Sequence, residues 1–157
     1  MSYEIKVREV APVTAMTIRT VSSMKSIGPD MGACYGELWE YMEKKGAKCT
    51  GECFALYHGT EFDPEHIDME CGFSVAELLP DGGRAKGRVV EGGLMVYAVH
   101  KGPYDTLSAA YEALMKWGEE NGEYVLLNGW RDNYLNDPMS VPPEEVLTEV
   151  LCTVKKK

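Results

Sequence analysis

The stretch Val146–Val154, VLTEVLCTV, restricts the fold more than any other in this 157-residue chain. Aliphatic and β-branched residues run through it, and one carboxylate interrupts them. Alternation sets Leu147, Glu149 and Leu151 on one face, and Thr148, Val150, Cys152 and Val154 on the other. A charge inside a strand is unusual, because removing its water is costly or shifts its pKa upward. The pattern has an earlier copy, Asp68–Val75 (DMECGFSV), in which Glu70 stands for Glu149, Ser74 for Thr153 and Val75 for Val154. The two glutamates are 79 residues apart, about half the chain. Two copies of one unit, each with a Glu on the same face of its last strand, are the simplest reading.

The rest of the sequence divides in the same way. Strands are expected at Tyr3–Val10, Thr14–Ser22, Glu52–His58 and Leu94–His100, with shorter ones at 87–93 and 130–135. Asp30 reads as the cap of a helix over Met31–Lys45, whose stripe is Tyr35, Leu38, Trp39 and Met42. A second helix is expected over Leu107–Asn121, with Tyr111, Leu114 and Trp117 buried and Asp105 or Thr106 as cap. Gly46 and Gly122 stop the two helices. The matching positions are Met16 with Met95, Tyr35–Gly46 with Tyr111–Gly122, and Phe54 with Trp130.

Each half therefore reads strand, helix, strand, strand. The expected fold is α+β: a single domain over 1–157, with an internal repeat at about 12–79 and 92–155. Pseudo-two-fold symmetry would join the units through an antiparallel sheet, with two helices on one face and a ligand cleft on the other. Thr148, Val150, Cys152 and Val154, with Met69, Cys71, Phe73 and Val75, form the expected core side. Glu70 and Glu149 fall on the side away from the helices.

Charge and cysteine usage remove several function classes. With 25 acidic and 16 basic residues the formal charge is −9, which does not suit a nucleic-acid surface. Lys155–Lys157 reads as a solvated tail. Five cysteines without a framework spacing read as reduced thiols in a cytoplasmic protein. No apolar run is long enough for a membrane span, and MSYEIKVREV does not read as a signal peptide. Cys49, Cys53, His58 and His66 lack zinc-knuckle spacing, so no metal and no cofactor are expected. PDGGRAKG lacks the context of a phosphate loop. His100, ahead of Lys-Gly-Pro, reads as a hydrogen-bonded structural residue.

The candidate ligand residues follow from alternation. Trp130, Asp132 and Tyr134 share one face of their strand, with Cys53, Ala55 and Tyr57 as counterparts, and Tyr97 joins them from 94–100. Set beside Glu149 and Glu70, these rings suit a flat or cationic organic molecule: the rings supply area and cation–π attraction, the carboxylate the counter-charge. An apolar setting would also raise the carboxyl pKa, as a general acid or base requires. The ordinary readings are a solvent-facing Glu and rings used for packing.

HKGPYDTLSAAYEALMKWGEENG, then WRDNYLNDP, then PPEEVLTEVLCTV resemble the GyrI-like family of effector-binding domains of AraC- and MerR-type activators and stand-alone DNA gyrase inhibitory proteins. The order H-x-G-P-Y, Y-x2-L-x2-W, Y-L-x-D-P and T-E-V carries the resemblance. It implies a duplicated fold with a ligand cleft, and acidic and aromatic residues that hold lipophilic cations. Carried over by motif, the acids are Glu149 and Asp132, the latter shorter than the family's usual Glu. The expected function is a stand-alone binder of hydrophobic, cationic or aromatic small molecules. The resemblance leaves two alternatives open. One is a hydrolase of cyclopropane-containing or other electrophilic xenobiotics, with Glu149 as acid/base and Trp130 and Tyr134 placing the substrate. The other is a gyrase-inhibitor-like module with a protein partner. No direct DNA binding is expected, because no length remains for a helix-turn-helix.

Overall fold

The computed structural model describes residues 3–59, 63–137 and 139–157, apart from the side chain of residue 128. The expected loop at 59–65 and the Pro of Y-L-x-D-P lie partly or wholly outside these residues. Among the described residues, eight strands and two α-helices follow in the order β1 (Lys6–Val10), β2 (Val13–Ser22), α1 (Ile27–Lys44), β3 (Cys53–His58), β4 (Ile67–Ser74), β5 (Lys86–Val90), β6 (Gly93–Lys101), α2 (Ser108–Glu120), β7 (Tyr124–Tyr134) and β8 (Leu147–Lys156). All strand pairs described are antiparallel. This is an α+β fold.

The chain forms two compact units, one of residues 11–92 and the other of 1–10 with 93–157. In the first the strand order is β3-β4-β2-β5, with α1 packed on it. In the second it is β7-β8-β6-β1, with α2 packed on it. The N-terminal strand thus completes the sheet made by the second half of the chain.

Each core lies between sheet and helix. Met16, Ile18, Met69 and Cys71 meet Cys34, Leu38 and Met42 of α1. Val96, Ala98, Val150 and Cys152 meet Ala110 and Leu114 of α2. The expected core set on β4 and β8 is on the helix side, as alternation requires. Apolar residues three and four apart give each helix its buried stripe.

Helix α1 starts earlier than expected. Ser26 stands at its N-cap, and Pro29 sits in the first turn, where a missing N–H costs nothing. Asp30 is not the cap; its carboxylate accepts from Ser22 Oγ at 2.5 Å. Strand β7 is also longer than expected. Asn128-Gly129 has the look of a turn, yet it is a register shift inside the strand, between Leu126 and Trp130. Gly129 N donates to Thr153 Oγ1 at 3.2 Å, and a Cβ on Gly129 would meet that oxygen at 2.6 Å.

The pairing registers correct two of the expected matches. Glu70 pairs with Arg19 on β2, and Glu149 with Val99 on β6. Equating the glutamates makes Thr17 equivalent to Tyr97 and Ala15 to Met95. Met16 pairs with Phe73 on the helix side, whereas Met95 pairs with Thr153 on the other. Phe54 pairs with Gly72, whereas Trp130 pairs with Cys152, again on opposite faces. A slip of one residue turns every side chain of a strand over, so these pairs are not structural counterparts.

Candidate functional site

Glu149 sits mid-strand on β8 with its side chain 10% exposed, on the face away from α2. Its direct partner across β7 is Asn133, whose Nδ2 donates to Oε1 at 2.9 Å. Arg131 Nε in turn donates to Asn133 Oδ1 at 2.9 Å. From β1, beyond β6, Arg8 reaches over in a fork: Nη1 donates to Oε2 at 2.8 Å and Nη2 to Oε1 at 3.0 Å. The same guanidinium lies over the Tyr97 ring, 4.2 Å from its centroid. Planar fork geometry and weak hydration suit Arg to both contacts at once.

Glu70 occupies the matching place on β4 and is 2% exposed. Arg88 Nη1 donates to both of its oxygens, at 2.9 and 3.0 Å. His58 Nε2 donates to Oε1 at 2.8 Å. The arginines are register equivalents, since Arg88 pairs with Ala15 and Arg8 with Met95. Their strands even share a pattern, KVREV at 6–10 and KGRVV at 86–90. That repeat, K-x-R-x-V, is the signal in the sequence for both residues.

Burial alone would raise both carboxyls, as the sequence reading expected. The structure reverses the sign. For Glu149, desolvation is outweighed by the Arg8 fork, the Asn133 amide and the nearby Arg131 charge, and its pKa falls below the ordinary value. For Glu70, desolvation is outweighed by His58, Thr17 and Arg88, with the same outcome. Both are carboxylates at neutral pH. Neither has a proton to give as a general acid.

Three of the seven candidate ligand residues, Glu149, Glu70 and Tyr97, are on helix-free faces. The other four are on the helix side, which corrects the face assigned to them. Trp130 packs with the α2 core, its ring 5.2 Å from that of Tyr111. Asp132, 1% exposed, accepts a short hydrogen bond from the Tyr111 hydroxyl. Tyr134 meets the Tyr104 ring edge-on at 5.8 Å, and Tyr57 packs with the α1 core. The register of β7 on β8 pairs odd positions with odd, so Arg131 and Asn133 are the neighbours of Glu149. Alternation sorted the β7 residues into two sets; only pairing tells which set joins the Glu.

Other polar positions have structural partners. His100 is 2% exposed; Tyr3 Oη donates to its Nδ1 at 2.8 Å, and its Nε2 lies 2.9 Å from Thr106 Oγ1. Thr106 Oγ1 donates to Pro103 O at 3.0 Å, so it accepts from His100 Nε2, which defines the tautomer. Burial pushes the Cys53 thiol up to about 11 and Cys71 up to about 12, so both stay protonated. Among the described residues, no three His, Cys, Asp or Glu are grouped to hold a metal, and no helix is long and apolar enough to cross a membrane.

Each unit is a sheet with a helix on one face and an arginine-held carboxylate on the other. The chain belongs to the family of the GyrI-like small molecule binding domain, whose family model matches residues 3–155. Among solved structures it is similar to the crystal structure of the EcmrR C-terminal domain, at 30% identity and TM-score 0.86, covering all of both chains. It is also similar to EcmrR in a cryo-EM EcmrR–DNA complex (29% identity, TM-score 0.88, 99% of this chain). There it spans 58% of the longer protein's length. A third similar structure is SAV2435 bound to tetraphenylphosphonium, at 14% identity and TM-score 0.64, covering 99% of this chain and 94% of that one. At that identity the likeness is one of fold. No curated protein sequence matches the chain.

Proposed function

We propose that this domain binds lipophilic organic cations carrying aromatic rings, on the helix-free face of the unit that holds Glu149. The observation that carries the reading is the Arg8 contact: a planar cation lies over Tyr97 and is forked onto Glu149. A face that accepts a guanidinium in this way has a ring for the apolar part of a cation and a carboxylate for its charge. Val99, 42% exposed, pairs with Glu149 and supplies apolar surface on this face, whereas Leu151 beside Tyr97 is fully buried. Glu149, ionised and lowered in basicity, suits a counter-ion better than an acid or base. The family membership supports small-molecule binding in general.

Titration calorimetry with tetraphenylphosphonium and with tetraphenylborate tests the reading, because the two share a shape and differ in sign. The expected result is saturable binding of the cation that Glu149→Gln weakens at least tenfold, with the protein still folded. Cation binding indifferent to Glu149→Gln, or preference for the borate, overturns it.

A further inference from the structure

We infer that Arg8 is a built-in stand-in for the ligand: its guanidinium fills the place of the cation between Tyr97 and Glu149, and binding is an exchange of one cation for the other. This rests on the function proposed above and adds how the same site is controlled.

Four observations carry it. Arg8 makes both contacts that an aromatic-binding cation needs, the ring at 4.2 Å and two carboxylate oxygens at 2.8 and 3.0 Å. While it does so, both Glu149 oxygens are engaged by the Arg8 fork, and Oε1 also accepts from Asn133 Nδ2. A ligand cation can therefore be held at Glu149 only when Arg8 withdraws. Exchange keeps Glu149 compensated throughout, which avoids the cost of an unpaired, nearly buried charge.

Arg8 is also free to leave. Its side chain is 39% exposed, and it stands on an edge strand whose backbone pairing does not depend on where that side chain points. A long arginine can move its head into water without moving its Cα. The fourth observation is the contrast with the other unit. Arg88 is as exposed, at 40%, but Glu70 is 2% exposed and is shared with His58 and Thr17. The position equivalent to Tyr97 is Thr17, and Phe54, a ring on that face, is fully buried, so no exposed ring stands where Tyr97 does for a ligand to replace Arg88 on. Arg8 thereby sets both the affinity threshold and the charge class of the ligand.

The test is tetraphenylphosphonium titration of the full chain carrying Arg8→Met, which keeps the stem and removes the charge. Affinity for the cation is expected to rise at least tenfold over the unsubstituted protein, with no gain for tetraphenylborate and no gain in Arg88→Met. The gain is expected to disappear when Glu149→Gln is added. Unchanged or weaker cation binding in Arg8→Met, alongside Glu149-dependent binding in the unsubstituted protein, overturns the exchange but leaves the proposed function standing. Binding that ignores Glu149 in every variant, or no binding in any, overturns both. Should Arg8→Met fold poorly, the Arg8 Nε–Hε resonance of the unsubstituted protein decides. It is expected to shift saturably toward free arginine as the cation is added; a resonance that stays put at saturation overturns the exchange.

Discussion

Glu70 and Glu149 occupy equivalent places in two units of the same strand order, yet their surroundings differ in kind. The face around Glu70 is packed with apolar groups. Phe54 is fully buried there with Ala15 and Val90, and Val13 and Leu56 pack against them. Phe54 lies over Gly72 so closely that a Cβ on the glycine would come within 2.6 Å of the ring. The face around Glu149 has Arg131 where the other has Phe54, Asn133 where it has Leu56, Leu151 where it has Gly72, and Tyr97 where it has Thr17. The same Arg–Glu clamp is thus embedded in a solid layer in one unit. In the other it borders a ring and a polar ladder. A clamp of one geometry serves packing or binding according to what surrounds it.

The largest expected break in this contrast is Phe54→Ala. Emptying a fully buried ring should cost about 3–5 kcal/mol in urea unfolding and leave cation affinity per folded molecule unchanged. If affinity falls with stability, the two faces are not separable in the way described.

Next is the clamp itself. Arg88→Met takes two hydrogen bonds from a carboxylate that is 2% exposed, leaving it His58 and Thr17, and should cost about 1–3 kcal/mol. The same change at Arg8 leaves a carboxylate that is 10% exposed and still bonded to Asn133, and should cost less than Arg88→Met. Equal losses would mean that the clamps are equally structural.

Tyr97→Ala removes the ring under the guanidinium. It should weaken tetraphenylphosphonium by about fivefold, near 1 kcal/mol, with little change in the unfolding midpoint.

The smallest expected effect is in acid. Both glutamates have folded pKa values below the ordinary 4.5. Their contribution to stability is complete above the unfolded value and is lost as pH falls through the folded one, so stability should decline on acidification below about pH 4.5. Urea midpoints followed from pH 6 to pH 2.5 in Glu149→Gln should show a shallower decline than in the unsubstituted protein. An equal slope would show that Glu149 does not titrate as its partners dictate.

Much of the fold was legible in the sequence because burial writes a period into it. The strands around Glu70 and Glu149, both helices, and the inward set on β4 and β8 all follow from periods of 2 and 3.6. The helix start at Ile27 was hidden because Pro29 reads as a break, although the first turn tolerates it. The first part of β7 falls outside the expected strand because a register shift between Leu126 and Trp130 interrupts its alternation.

The site was legible only by halves. Glu149, Glu70 and Tyr97 were singled out, and they lie on helix-free faces. Trp130, Asp132, Tyr134 and Tyr57 lie on the helix side rather than the expected face, and Arg8, Arg88 and Asn133 are the partners that alternation does not point to. A carboxylate in an apolar strand announces itself. An arginine on a short, half-exposed strand does not, because its partner is two strands and 141 residues away in the case of Arg8.

The chain's own order of residues determined which segments become strands and helices, and that a carboxylate would sit mid-strand in each half. Period and composition are local properties, and a local reading recovers them. Register and strand adjacency were decided only by the tertiary structure. They put Asn133 rather than Trp130 beside Glu149, brought β1 to the sheet of the second half, and turned an expected proton donor into a charge held by Arg8. Each of these depends on pairing between segments distant in sequence, where one residue of slip inverts a face and one guanidinium reverses a pKa shift.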